Sequence, residues 1–478
     1  MPEGRPPWHS AAMTPTRALA AAISGATIAA LALVSPAVAG PTQENTWVAP
    51  DVPVIKDYME YSTVVMPSSG AATVFYGGKY RSYDPNSDSW SRWTTLASDT
   101  SAIRPVVNPR GDLCAQWLPR SGGTEITVAC RQRGSAQWQR RTFAANREVV
   151  SSSIAVWDNG AMAMAVWLER RNTSVYRAKF SLYSAARGAW SDARTFPIAS
   201  GDGRLASISV NSHTTGNSPG FVVHYTRDRA MTAPELVDYR GVTGTWLTTW
   251  TEGGGWQNLR EVTLPLTGAS PLPVTLMGLT SEDGKVAAIY GPALEPWWHE
   301  HDFWVSRLQS NAQESASAMG FSSRRPQIAL SGGILGIAAE VPAQNSSHEM
   351  TLTIQRAGQF QTRTLTTPVL EGEQLKIWGM DITAQRMLDG AKGFSVSLEL
   401  NRTYLDEASE SYEDVQYLYA VTGYVDRSTT LLRSSAIERV GDGIAYDGMN
   451  PDIAGNGKKA IILYYQQSWA YAAFRRPS

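Results

Sequence analysis

The sequence predicts an all-β fold, and three observations support this prediction. A turn containing Gly, Asn or Asp, followed by a short apolar strand that ends on an aromatic residue, recurs along the chain, as at Asn159–Gly160 before Trp167. Each recurrence carries about four β-rich segments, and none shows an apolar pattern of helical period. A spare strand-like segment, Thr46–Val48, precedes the first recurrence. The repeat therefore determines the fold that we expect.

The turn-and-strand unit occurs eight times, at spacings of about 40 to 65 residues. Four-stranded units at such spacing are typical of β-propeller blades, whereas immunoglobulin-like copies need about 100 residues each. We therefore expect a single β-propeller of about eight four-stranded blades, with seven as the alternative because units one and seven are irregular. The recurring strands are 72–76, 113–117, 163–167, 221–225, 286–290, 334–339, 394–400 and 460–465, and aromatic markers of an outer strand are Trp90, Trp138, Trp190, Trp256 and Phe360.

The last unit is incomplete, and the other end of the chain can complete it. After Tyr465 there is room for one more strand, Ser468–Phe474, before the chain ends. The segment Thr46–Val54 carries the same Trp marker as the outer strands. We therefore expect this segment to pair with Ser468–Phe474 and close the ring, which removes two open sheet edges.

The two cysteines, Cys114 and Cys130, fall in the second and third strands of unit two. The hairpin between them turns at 120–123, so the two residues are equidistant from the turn and face each other across an antiparallel pair. We expect a disulfide there, since cross-strand neighbours are close enough to be bridged.

The N-terminus has the pattern of a secretory signal peptide. Arg17 precedes an apolar stretch, Ala18–Val34, and Ala37–Val38–Ala39 has the small-residue form of a cleavage site. We expect residues 1–39 to be removed and residues 40–478 to form the propeller domain, secreted to the outside and without a membrane anchor. A formal net charge of −1 provides no basic patch for nucleic acid.

The repeat resembles that of secreted bacterial β-propeller proteins, in which Asn or Asp and Gly precede an apolar strand ending in Trp. This resemblance covers the mature chain as architecture, and it implies no specific family or activity. Sialidase-type propellers would add Ser-x-Asp-x-Gly-x-Thr-Trp turns; Ser281–Gly284 begins like one and lacks the Thr-Trp ending. Quinoprotein propellers would repeat a Gly-x-x-x-Trp docking motif that this sequence lacks.

The longest insertions all fall in second-to-third strand loops, which share one side of a propeller. We call this side the long-loop face, and we expect ligand binding there because elaborated loops on a rigid scaffold usually bind. Its strongest element lies in unit five, where exposed aromatic rings could stack on sugars and polar neighbours could bond hydroxyl groups. The predicted ligand-binding residues are Trp297, Trp298, His299, Glu300, His301 and Trp304.

No cofactor or metal is expected. His299 and His301 could share a strand face, and no third ligand is evident. The acidic stretch of unit seven, Asp406–Asp414, lacks the spacing of a regular calcium loop, and a solvated insertion is the simpler interpretation. No catalytic residue is predicted either, because no nucleophile elbow or zinc-protease motif is present.

Three functional hypotheses remain open. The first is a secreted, non-catalytic module that recognises glycan or cell-envelope material through the long-loop face. The second is a protein-interaction subunit of a larger extracellular assembly, for instance an antibacterial toxin. The third is a divergent glycoside hydrolase, which would need two carboxylates about 5 to 9.5 Å apart at the centre of the ring; Glu169, Asp228, Glu295 and Glu300 are candidates.

Overall fold

A computed structural model of the chain shows an all-β protein. Apart from Met1–Glu44, the chain forms one compact unit, Asn45–Ser478. The described residues include no helix and so no helix long and apolar enough to cross a membrane. They are 47–48, 62–67, 69–100, 102–120, 123–145, 147–170, 176–198, 204–215, 218–228, 242–262, 274–292, 301–308, 314–341, 348–370, 372–386, 391–406, 411–440, 452–455, 460–466 and 469–475.

The first half of the chain forms a two-residue strand and then four repeat units, each an antiparallel sheet whose strands are neighbours in chain order. The strands are β1 Trp47–Val48; β2 Ser62–Val65, β3 Thr73–Tyr76, β4 Lys79–Asp84, β5 Ser89–Trp90 and β6 Thr94–Thr95 in unit one; β7 Ile103–Val107, β8 Leu113–Trp117, β9 Glu125–Arg131 and β10 Gln139–Ala144 in unit two; β11 Val149–Val156, β12 Met162–Arg170, β13 Tyr176–Ser184, β14 Ala189–Trp190 and β15 Arg194–Thr195 in unit three; and β16 Arg204–Thr215, β17 Ser218–Asp228, β18 Val242–Thr251 and β19 Gly255–Val262 in unit four.

The second half continues the same pattern, with one short hairpin between units six and seven. The strands are β20 Val274–Glu282, β21 Lys285–Pro292, β22 His301–Leu308 and β23 Glu314–Ser331 in unit five; β23 again, β24 Ile334–Glu340, β25 Glu349–Arg356 and β26 Gln359–Thr366 in unit six; β27 Val369–Leu370 and β28 Glu373–Gln374 in the hairpin; β29 Lys376–Arg386, β30 Lys392–Asp406, β31 Ser411–Val425, β32 Leu432–Ser434 and β33 Glu438–Arg439 in unit seven; and β34 Asp452–Gly455, β35 Ala460–Gln466 and β36 Trp469–Arg475 in unit eight.

The number of blades depends on the long strand β23. Its first part pairs with β22 and its second part, from Arg324, pairs with β24, so units five and six form one continuous seven-stranded sheet. Counted by continuous sheets, the protein is therefore a seven-blade β-propeller, the lower of the two numbers that the sequence allowed. The seven-stranded blade contains two of the eight repeat units.

The ring closes as predicted. Strand β1 pairs antiparallel with β36, with Trp47 opposite Arg475 and Val48 opposite Phe474. The chain's first described strand thus completes the sheet of its last unit, in the order β1–β36–β35–β34. Each sheet also buries both its faces against its neighbours, so the hydrophobic core is a series of clusters between adjacent units.

Removing the closing strand tests how much the ring depends on it. We expect a chain that starts at residue 49 to unfold at a lower temperature than one that starts at Asn45, because β36 loses one of its two partner strands. We also expect concentration-dependent association, since an open edge strand pairs readily with other chains. Thermal unfolding and size-exclusion chromatography measure both effects. Equal melting temperatures and a monomeric truncated chain would show that β1 contributes little.

The disulfide is also as predicted. Cys114 and Cys130 are directly opposite each other in the β8–β9 pair, with their Cα atoms 4.1 Å apart, and they are bonded. Both lie in the core cluster between units two and three, together with the fully buried Trp167.

The inner strands of units three to seven each contain a β-bulge near their start. The register shifts at Val149–Ser151, Leu205–Ser207, Leu276–Gly278, Arg324–Gln327 and Ile377–Gly379. Each inner strand starts on the long-loop face, because the connections between units lie there. A bulge re-aims the extra residue and is common beside binding sites.

Candidate functional site

The clearest cavity in the described part of the chain lies at the centre of the ring, on the side opposite the long-loop face. We call this side the first-hairpin face, because it carries the turns between the first and second strands of each unit. The cavity has a volume of about 660 Å³, and residues from the ends of seven inner strands line it, from Met66 of unit one to Ala384 of unit seven. Its size is suited to a small ligand.

The rim of this cavity is polar and acidic. Its apolar wall comes from inner-strand residues such as Ile154, Leu279 and Leu330. None of the described lining residues is a lysine, an arginine or an aromatic residue. The carboxylates of this lining favour cations and hydroxyl donors over anions. The polar lining residues include Asn108, Asp158, Asn211, Ser212, Ser281, Glu282 and Asp283.

Hydrogen bonds between neighbouring hairpins hold the rim in place. In unit two, Asn108 donates from Nδ2 to the carbonyl of Trp157 in unit three (3.1 Å). In unit five, Glu282 accepts from the backbone N–H of Gly333 in unit six (3.1 Å). Because the turns are tied in this way from unit to unit, the cavity is preformed in the folded chain.

Two turn glycines make this close approach possible. Gly160 has a φ of 73°, and a side chain there would collide with the carboxylate of Asp112 in the preceding unit. Gly284 has a φ of 70°, and a side chain there would collide with Thr214. The glycine in the repeated turn thus serves the contact between units as well as the turn itself.

Burial raises the pKa of the Asp158 carboxyl, and the negative charges of Asp283 and Glu282 raise it further. Hydrogen bonds from the Gly284 backbone and the Ser212 hydroxyl oppose this effect by favouring the carboxylate. The side chain is half-buried at the rim. A cation bound in the cavity would favour the ionised form of Asp158.

His213 lies behind the rim, almost fully buried. Its Nδ1 is 3.1 Å from the carbonyl oxygen of Gly284 and therefore carries the proton that it donates. Burial lowers the pKa of this imidazole, so the ring is neutral at physiological pH. A second buried histidine, His224, is 2.8 Å through Nε2 from the Tyr290 hydroxyl. Both histidines contribute to the packing between units four and five.

Of the six residues that the sequence predicted for ligand binding, His301 and Trp304 are described, and they lie in β22 of unit five, away from this cavity. Trp297, Trp298, His299 and Glu300 lie outside the described residues. His301 begins β22 opposite Ser323. Trp304 is opposite Tyr290 in the sheet, half-buried against the core cluster between units four and five. A role for these six residues in binding remains a prediction.

Of the four carboxylates proposed for a hydrolase, only Glu169 has a described side chain. Glu169 is 6% exposed and accepts a hydrogen bond from Nε1 of Trp167 (2.9 Å), which is a contact within the core. Asp228 ends β17, and only its backbone is described. Glu295 and Glu300 lie outside the described residues.

Two features of the long-loop face are visible only in the structure. Trp378, the extra residue of the bulge in unit seven, is 46% exposed. Its carbonyl accepts a hydrogen bond of 2.6 Å from Arg325, the residue at the corresponding bulge of unit six. The segment 401–414, which contains the acidic stretch of unit seven, is also mostly regular, since β30 and β31 continue as a paired hairpin to Asp406 and Ser411. The two strands extend the sheet so far that only four residues, 407–410, lie between them.

No family model matches the sequence, and no curated protein matches it. Among solved structures, the chain is similar to a polysaccharide lyase acting on ulvan (10% identity, TM-score 0.41, 78% of this chain and 95% of that one). It is also similar to a mutant of NanB sialidase from Streptococcus pneumoniae (7% identity, TM-score 0.34, 90% and 94%). A third is a protein of unknown function from Dyadobacter fermentans (11% identity, TM-score 0.36, 68% and 94%). Similarity at this level concerns the arrangement of strands, and it carries no argument about activity.

Proposed function

We propose that this chain is a secreted recognition module, and that its central cavity binds a hydroxyl-rich, neutral or amine-bearing glycan of the kind found in cell envelopes. The observation that supports this proposal is the chemistry of the rim. Carboxylate, amide and hydroxyl groups converge from several units on one preformed cavity, and no basic side chain is among the described lining residues. Hydroxyl groups of a sugar can donate to the carboxylates and accept from the amides.

The acidic rim also restricts the ligand. Sulfated, phosphorylated or uronate sugars would place negative charge beside Asp158, Glu282 and Asp283, which is unfavourable. A neutral sugar has no charge for these carboxylates to repel. The ammonium group of an amino sugar would be attracted by them. Absence of an aromatic ring from the described lining means that recognition depends on hydrogen bonds and charge more than on stacking.

Asp283 offers the cleanest test of the cavity. It is exposed and adopts a left-handed backbone conformation with a φ of 49°, which asparagine also tolerates. We expect Asp283→Asn to weaken glycan binding by more than about 1 kcal/mol, the usual mark of a contributing residue, with little change in stability. Isothermal titration against neutral, amine-bearing and anionic oligosaccharides measures this.

A second pair of substitutions distinguishes the two faces. If the cavity is the site, the double variant Trp297→Ala, Trp298→Ala should bind glycans as well as the unchanged protein. If the long-loop face is the site, that variant and Trp378→Ala lose binding and Asp283→Asn does not. The long-loop face is the second candidate because Trp378 is an exposed aromatic ring at its bulge.

Two other outcomes would support the other hypotheses. Hydrolysis of any bound oligosaccharide would support the glycoside hydrolase. Co-purification of a secreted protein, with no glycan binding, would support the subunit of a larger assembly.

Binding of an amine-bearing glycan should depend on pH through Asp158. Its pKa is raised by burial, so the carboxyl is still partly protonated at pH values where an ordinary aspartate is ionised. As the pH rises through this raised pKa the carboxylate forms, and affinity for a cationic ligand should increase. Neutral glycans should show a much smaller increase. Binding should be measured from about pH 4 to about pH 7. In the variant Asp158→Asn, amine-bearing and neutral glycans should show the same pH dependence. An unchanged pH dependence in this variant would exclude Asp158 as its source.

A further inference from the structure

A second group of polar side chains lies far from the cavity, inside the contact between units seven and eight. Glu399 of β30 is 1% exposed, and neither of its carboxylate oxygens has a hydrogen-bond partner. Asn401, two residues further along, is 3% exposed and its side-chain oxygen is also unpartnered. Gln416 of β31, 5% exposed, is the third such residue.

The register places these residues on one side of the sheet. Asn401 is directly opposite Gln416, and Glu399 is opposite Leu418, the next position on the same face. Side chains that are opposite each other in an antiparallel pair have Cβ atoms about 4.5 to 5.5 Å apart. The four unpartnered oxygen atoms therefore belong to three neighbouring side chains.

The burial pattern shows which way this side faces. Leu398 and Leu400 alternate with the polar residues and pack in the cluster shared with unit six. Leu418 packs on the other side with Ile453 and Ile462 of unit eight. Glu399, Asn401 and Gln416 therefore face unit eight, inside the molecule.

The neighbouring first strand has no side chain directly opposite Glu399. Gly379, opposite Glu399 in the pairing of β29 and β30, has no side chain. Asp381, on the same side of β29, already accepts a hydrogen bond from the backbone N–H of Ile453 in unit eight (3.3 Å). Its carboxylate is thus engaged with unit eight and adds negative charge to this side of the interface.

Buried oxygen acceptors without donors are costly and are rare in folded proteins. When Glu399 is ionised, all the unpartnered atoms are acceptors, and one bound cation can satisfy several of them at once. Oxygen-only ligands from carboxylate and amide groups suit calcium, whereas zinc and copper favour nitrogen and sulfur. Magnesium keeps most of its water, for which a buried interface is poorly suited.

We propose that Glu399, Asn401 and Gln416 form a calcium site between units seven and eight. In the described part of the chain no group of three or more His, Cys, Asp and Glu side chains could hold a metal, so amide oxygens are essential to this site. Bound calcium would link the second and third strands of unit seven where they face unit eight, whose sheet closes the ring.

Calcium titration of the full chain, after treatment with a chelator and its removal, tests the proposal. We expect one calcium ion per chain by equilibrium dialysis, and a melting temperature that rises with calcium concentration by mass action. Magnesium and sodium salts at the same ionic strength should raise it less. Absence of bound calcium at millimolar concentrations, or an equal effect of magnesium or sodium, would overturn the proposal.

Substitutions identify the ligands. Glu399→Gln keeps the size of the side chain and removes its charge, so calcium affinity should fall at least about tenfold, an effect that even outer-sphere residues can reach. Glu373→Gln is the matched control, because Glu373 belongs to the hairpin just before β29 and its side chain, which pairs with Arg402, is 54% exposed. Unchanged calcium affinity in Glu399→Gln would overturn the proposal. If that variant does not fold, Gln416→Leu should show the same loss, and normal calcium affinity there would equally overturn it.

Discussion

Trp167→Ala should lower the free energy of unfolding by about 3 to 5 kcal/mol, the usual cost of removing a buried aromatic ring. Trp167 is fully buried between units two and three, and its ring stacks on Phe143 with centroids 5.3 Å apart. The substitution would also remove the N–H that donates to Glu169, a carboxylate that is 6% exposed. An unsatisfied buried acceptor costs about a further 1 to 3 kcal/mol.

Two controls separate these contributions in chemical denaturation. Trp167→Phe keeps most of the ring and loses only the donor. It should therefore lower the free energy of unfolding by about 1 to 3 kcal/mol, the range for an unsatisfied buried acceptor. Trp378→Ala makes the same change at a tryptophan that is 46% exposed, and it should change stability by less than about 0.5 kcal/mol. A loss below about 1 kcal/mol for Trp167→Ala would mean that neighbouring side chains fill the space.

The sequence predicted local features of this fold well. The position of the disulfide followed from the symmetry of one hairpin, because Cys114 and Cys130 are equally distant from its turn. The pairing of β1 with β36 followed from one missing strand and one spare strand. Both predictions needed only the register of a single sheet.

The candidate cavity could not be predicted in this way. Asp158, Asn211 and Glu282 come from units three, four and five, and only closure of the ring brings them to one rim. These three polar residues lie at or near the ends of their inner strands, beside the first turn of each unit. Those turns are short, and loop length, from which the binding residues were predicted, favours the other face.

Alternation of polar and apolar residues in β30 does not mark a solvent-exposed face. The strand from Phe394 to Leu400 alternates apolar residues with Ser395, Ser397 and Glu399, a pattern that usually indicates one face in water. In a propeller both faces of each sheet pack against other sheets, and the polar side of β30 is buried as completely as the apolar one. Burial there raises the pKa of Glu399 to about 8.

The disulfide provides the last prediction. The bond joins residues 16 apart in sequence, and a loop of about this length stabilises a protein by about 3 kcal/mol in the chain-entropy model. We therefore expect reduction, or the double variant Cys114→Ala, Cys130→Ala, to lower the free energy of unfolding by about that amount. Alanine is the better replacement because both positions are 2% exposed and a serine hydroxyl would be buried there.

Denaturant titrations with and without a reducing agent measure this effect. The reducing agent should shift the unfolding midpoint of the unchanged protein and leave that of the double alanine variant where it is. Thiol labelling of the denatured, unreduced protein should find no free cysteine, and labelling of both would sink the prediction. Since the bond shares its core cluster with Trp167, combining the alanine substitutions at all three positions should give a loss that differs from the sum of the separate losses.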